Sequence, residues 1–180
     1  MGVHNYAARA ALAGVVFADM TPGTGISTGT NTICEHSVVK VGGLYKTEIL
    51  LDLTDLNDGG TAADVIGKDG DTANCHIGQI TAAVNGTIIA GRVTCLETPL
   101  GGHADVDIWR ADSALLAQDT AISADADPIQ LIDGDTWGDN DIIVLSALPA
   151  ANSYLYLATG AAVVGINYTA GILLIELWGK

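Results

Sequence analysis

The chain is short of glutamate and of positive charge: 4 Glu and 7 Lys or Arg stand beside 17 Asp in 180 residues. Glutamate suits a helix interior, whereas the short carboxylate of Asp bonds nearby backbone groups and favours turns. Acid held almost wholly as Asp therefore argues against a helical body and for short strands joined by acidic loops. With so few bases, a formal net charge of −14 and a pI near 4.2, nucleic acid is excluded as a partner, because its phosphates need clustered Lys and Arg. Anionic membrane surfaces are excluded on the same ground. Cysteine is sparse too. Cys34, Cys75 and Cys95 are odd in number, so a disulfide framework is not expected and a reducing compartment fits. No apolar run approaches the ~18 residues of a membrane span. The run from Ala10 to Ala18 has only Arg9 before it and Met20 and Pro22 behind it, so it reads as an arm or short helix rather than a signal peptide.

What is present is apolar: 49% of residues are hydrophobic, and the mean hydropathy is +0.36. A chain of this length forms one domain and buries roughly 70% of its unfolded surface. Part of the remaining apolar surface is expected to meet other subunits, which makes a homo-oligomer the default.

Residues 21 to 32 are rich in Gly and Thr and lack periodicity, so residues 1–32 read as an N-terminal arm and linker, with a single domain over 33–180. From Leu44 to Thr54 the pattern has period two: Tyr45, Thr47, Ile49, Leu51 and Leu53 share a face opposite Lys46, Glu48 and Asp52. With Ile33 to Val41 and the Gly42-Gly43 pair it predicts a hairpin. Asn85-Gly86 predicts a second hairpin, with arms Cys75 to Val84 and Thr87 to Glu97, in which Ile89, Gly91, Val93 and Cys95 face the core. Further strands are expected at Asp105 to Ala111, Ile129 to Ile132, Ile142 to Ser146, Ser153 to Thr159 and Gly171 to Trp178. The last is almost wholly apolar around Glu176, so it belongs at a sheet centre or under a neighbouring subunit. Short helices are expected only at Asn57 to Lys68, centred on Thr61 to Ile66, and at Ser113 to Ala117. The fold class is all-β: an antiparallel sandwich, jelly-roll-like, with an N-terminal extension.

Cys34 with His36, and Cys75 beside His76, lack the paired spacings of a zinc site, and adjacent strand residues such as Cys75 and His76 point to opposite faces. Asp69-Gly70-Asp71, Asp125 with Asp127, and Asp133-Gly134-Asp135 with Asp139-Asn140-Asp141 read as turn carboxylates. An EF-hand is excluded by Trp137 at a ligand place and by the missing Glu at the twelfth position. His103, Asp105 and Asp107 read as the wet side of a strand. No phosphate loop, nucleophile elbow or metalloprotease helix is present. No catalytic, cofactor-binding or metal residue is therefore assigned. Trp109, Trp137, Trp178, Tyr154 and Tyr156 suit stacking on sugars, or anchoring of a core or interface.

The stretches VVKVGGLYKTEILLDLTDLN from Val38, GGTAADVIG from Gly59, GRVTCLETPLGGHADVDIW from Gly91, SYLYLATG from Ser153 and YTAGILLIELWG from Tyr168 resemble head decoration or cement proteins of marine tailed phages. The resemblance covers residues 33 to 179. It implies a non-enzymatic, cofactor-free β-domain, made in the host cytoplasm and placed on the capsid exterior as a homotrimer that bridges major capsid protein subunits. On this reading residues 1–32 are an arm ordered only on the shell. The alternative is a carbohydrate-binding or head-fibre sandwich using Trp137 and acidic loops around a cation to contact host glycans.

Overall fold

The computed structural model describes residues 20–27, 32–70, 74–161 and 165–180. Strand β1 (Cys34–Val41) pairs antiparallel with β2 (Leu44–Asp52), from Cys34↔Leu51 to Val41↔Leu44. Their two-residue loop has positive φ at Gly42 (62°) alone, the pattern of a type II′ turn, which glycine enters without strain. Period two then sorts the side chains: Thr47, Ile49, Leu51 and Leu53 are at most 1% exposed, while Lys46, Glu48, Leu50 and Asp52 stay half-exposed on the other face.

The remaining strands are β3 (Leu56–Asn57), β4 (Gly67–Lys68), β5 (Gly78–Gln79), β6 (Ile88–Leu100), β7 (Val106–Ala111), β8 (Ile129–Ile132), β9 (Ile142–Val144), β10 (Tyr154–Thr159) and β11 (Ala170–Gly179). Two single helical turns, α1 (Thr24–Ser27) and α2 (Ala82–Asn85), join them, with a 3₁₀ turn at Ile122–Ala124. One sheet runs β1-β2-β11-β6-β9, a second β5-β10-β7-β8, and β3 pairs with β4. Every strand pairing is antiparallel. The pairing is also nested: β7 with β8, outside it β6 with β9, then β5 with β10, and outermost β2 with β11. Ile49, Leu51, Val93, Leu173 and Ile175 from the first sheet and Ile108, Leu131, Leu155 and Leu157 from the second close one shared core, so the molecule is an all-β antiparallel sandwich. The apolar strand β11 lies between β2 and β6, the central place its composition demands. No helix among the described residues is long and apolar enough to cross a membrane.

Several expectations are corrected. The helix expected over Asn57 to Lys68 does not form: Ala63 has φ 66°, and residues 63–66 run beside β10 instead. There Ala63 N and Ile66 N donate to Thr159 O and Leu157 O, and Thr159 N donates to Asp64 O. Ser113 to Ala117 is irregular, because Ser113 N and Ser113 O are taken by Asp125 and Tyr156. Asn85-Gly86 closes no hairpin. It ends α2, capped by Thr81 Oγ1 accepting from Val84 N and by Gly86 at φ 70° donating to Ala82 O, and carries the chain from β5 in one sheet to β6 in the other. Asn85 is held there by its buried side chain, which donates to Thr47 Oγ1 (2.9 Å) and accepts from Thr81 N (2.9 Å). In β6, Gly91, Val93 and Cys95 face inward as expected, but Ile89 is 51% exposed. A bulge there pairs Ile88 with Gly179 and Ala90 with Trp178, so Ile88 takes the inward place.

Of the arm and linker, residues 20–27 belong to the sandwich: Gly23 N and Gly25 N donate to His76 O and Asn74 O, and Ile26 is fully buried. The run from Ala10 to Ala18, the rest of residues 1–19 and residues 28–31 lie outside the described residues, as does Asp71.

Candidate functional site

The outward face of the five-stranded sheet carries half-exposed and exposed side chains from several of its strands. Register places Lys46 beside Trp178, Glu48 beside Glu176, Glu176 beside Arg92 and Arg92 beside Val144. Lys46 Nζ lies 2.7 Å from Glu48 Oε1 and 2.8 Å from Glu176 Oε1, and Arg92 Nε donates to Glu176 Oε2. The Arg92 guanidinium also sits 5.8 Å from the centre of the Trp178 ring. Under these two bases Glu176 is only 4% exposed. Its burial opposes ionisation, but the hydrogen bonds from Lys46 and Arg92 outweigh it and hold the carboxyl below the usual range. Hydrogen bonds to Glu176 first and then to Glu48 raise Lys46. Leu50, Leu174 and Trp178 around this quartet are half-exposed, and Ile142 and Val144 on the edge strand are 56% and 70% exposed.

A second cluster forms at the start of β7. Ligand atoms of Asp105, Asp107 and Asp133 lie within 4.8 Å of one another, close enough for a cation. The wet-face expectation for Asp105 and Asp107 is corrected. Asp107 is 4% exposed and accepts from Gln130 Nε2 (2.7 Å) and Gly134 N (3.0 Å). Burial raises it, and burial with the neighbouring carboxylates of Asp107 and Asp133 raises Asp105 to about 6. Asp105 Oδ1 has no hydrogen-bond partner among the described residues. His103 does not complete an acid-base set, since its Nδ1 accepts from Asp105 N at 3.1 Å.

Asp125, Asp139 and Asp141 bond backbone, as the turn reading expects. Asp125 accepts from the amides of Asp112, Ser113 and Asp127, which overcome its burial and hold it low. Asp139 accepts from Thr98 N and Oγ1, and Asp141 from Gly138 N. Asp127 and Asp112 pair with Arg110, itself 7% exposed. Trp137 is 1% exposed and donates to Val106 O, so it anchors the core and offers no face to a sugar.

Cys34 Sγ lies 3.7 Å from His36 Nε2, whose short contact is with Ile77 O at 2.6 Å. Burial pushes the Cys34 thiol up to about 12 and Cys95 up to about 11, so neither is poised as thiolate. None of the three cysteines is in a disulfide. His76 lines a cleft of ≈ 240 Å³ with Gln79, Thr81 and Tyr154; burial first, and the charge of His36 second, lower its pKa. A second hollow of ≈ 350 Å³ lies between Asn57, Asp69, Gln118 and Asp119.

Sequence reasoning missed two buried anchors: Asp58, whose partners His103 and Ile166 lie 45 and 108 residues away, and Arg110, which sits in a strand and pairs with Asp112 and Asp127 in the loops beside it. Glu176, the lone charge in an apolar strand, was the one signal for the quartet. No protein-family model, curated protein or solved structure matches the chain.

Proposed function

We propose that this chain is a non-enzymatic virion structural protein that decorates a tailed-phage capsid on its exterior. It stabilises the shell by bridging major capsid protein subunits and works as a homo-oligomer, with a trimer implied by the sequence resemblance. The observation that carries this reading is a sandwich with one broad outer sheet face whose apolar and paired charged residues are left unsealed by the described chain. Such a surface acts by added contact area, which is what a cement requires. We also read the sandwich as a jelly roll, because nested pairing across two sheets is the strand order that winding one long hairpin produces.

The test is to add purified protein to undecorated capsids, pellet them and image the particles. Ordered density on the outer shell and a raised temperature of capsid disruption are expected. Protein left entirely in the supernatant would overturn the reading.

A further inference from the structure

The centre of the five-stranded face differs in charge from the rest of a strongly acidic chain. There Lys46 and Arg92 meet Glu48 and Glu176, one base for each acid, so the quartet is neutral. The face's other acids, Glu35, Asp52 and Glu97, lie toward one end, level with Leu50 and Ile172. Elsewhere the second sheet holds Asp107 in β7, and the loops flanking β7 and β8 add Asp105, Asp112, Asp127 and Asp133, with Arg110 the base among them.

We propose that this outer face binds a second copy of the chain. The inference rests on the homo-oligomer reading and names its surface. Two copies at −14 each repel one another wherever acid faces acid. On this face both signs are present and still reachable: Lys46 and Glu48 side chains are 40% and 37% exposed, so a base on one copy finds an acid on the other. The neutral quartet is flanked by Trp178, Leu174, Leu50, Val144 and Ile142, the apolar and aromatic content that the buried centre of an interface favours. Size comes close as well. Four strands about 4.8 Å apart, with about nine residues rising about 3.3 Å each, and the short edge strand β9 beside them span on the order of 600 Å², below but approaching the ~800 Å² per partner of a stable complex.

The test measures mass by sedimentation equilibrium for the full chain and for Leu174→Asp, Val144→Asp and Leu115→Asp, with circular dichroism as a check on folding. Leu174 and Val144 lie on the face, whereas Leu115 is 78% exposed outside it. The wild type is expected at a multiple of 18.4 kDa. Leu174→Asp and Val144→Asp are expected to become monomers, and Leu115→Asp to keep the wild-type mass. Val144→Asp on the edge strand decides the matter if Leu174→Asp fails to fold. A monomeric wild type, or a Val144→Asp variant that keeps the oligomer, overturns the interface whether or not capsids are bound. An oligomer lost in the face variants alone supports it, even if that oligomer ignores capsids and so defeats the decoration reading.

Discussion

At the scale of single residues, aspartate does the work its abundance suggests, and two positions show opposite uses. Asp58 is fully buried, accepts from His103 N (2.8 Å) and Ile166 N (2.8 Å), and its carbonyl accepts from Thr159 Oγ1. It ties the turn after β3 to the ends of β6 and β10. Asp58→Ala would take the acceptor from both amides at a fully buried position, and a loss of about 2 kcal/mol in urea unfolding is expected. Asp105 instead sits where its charge is unwelcome. Its carboxyl is raised from 3.8 to about 6, so between those values the folded chain holds a proton that the unfolded chain has released. Stability therefore falls as pH rises through that window. Asp105→Asn removes the charge, so it should flatten this slope and raise the Tm at pH 7.5 by about 2 °C, a small effect because the group is partly solvated.

Among the elements, the pairing of β2, β11 and β6 is closed on its outer side by Glu176. Its carboxyl is held below its ordinary 4.5, so the stability it confers is present above that pH and is lost as pH falls below it, the reverse of Asp105. Glu176→Gln should cost about 1 kcal/mol at pH 7. Chemical melts of variant and wild type should converge below pH 4; a gap unchanged at low pH would contradict the assignment. Strands such as β2 and β11 were legible in the sequence because period two and an apolar run are local properties, and Gly42-Gly43 carries its own turn chemistry. Asn85-Gly86 was misread because the same dipeptide serves a hairpin and a helix end. What decides between them is Thr47, 38 residues away, which accepts from Asn85. The stretch 61–66 has helix-tolerant residues, yet β10, nearly a hundred positions later, supplies carbonyls to the amides of Ala63 and Ile66, and Thr120 supplies one to Val65. Likewise Asp107 alternates like a surface residue, and its burial depends on Gln130 and Gly134. The neutral quartet stayed hidden because its members come from three strands.

Across the whole molecule, nested pairing makes the fold depend on its last strand. β2 cannot be joined to β6 until β11 is laid between them, and the two are then bridged from Asp52↔Ile172 to Tyr45↔Gly179 on one side and by β6 on the other. Pairing residues this far apart in sequence has a high loop-closure cost, so refolding is expected on the millisecond-to-second scale of all-β topologies. A chain ending at residue 169 lacks the buried side chains of Leu173, Ile175 and Leu177. At about 2 kcal/mol each, they approach the whole 5 to 15 kcal/mol that about holds a domain together. It also leaves two hairpin-like halves with open edges facing one another. Urea titration of this truncated chain by tryptophan fluorescence should show no cooperative transition, and adding a peptide of residues 170–180 should restore one. A sigmoidal unfolding curve at the wild-type midpoint without the peptide would mean that the sheet does not need its central strand, and the topology described here would be wrong.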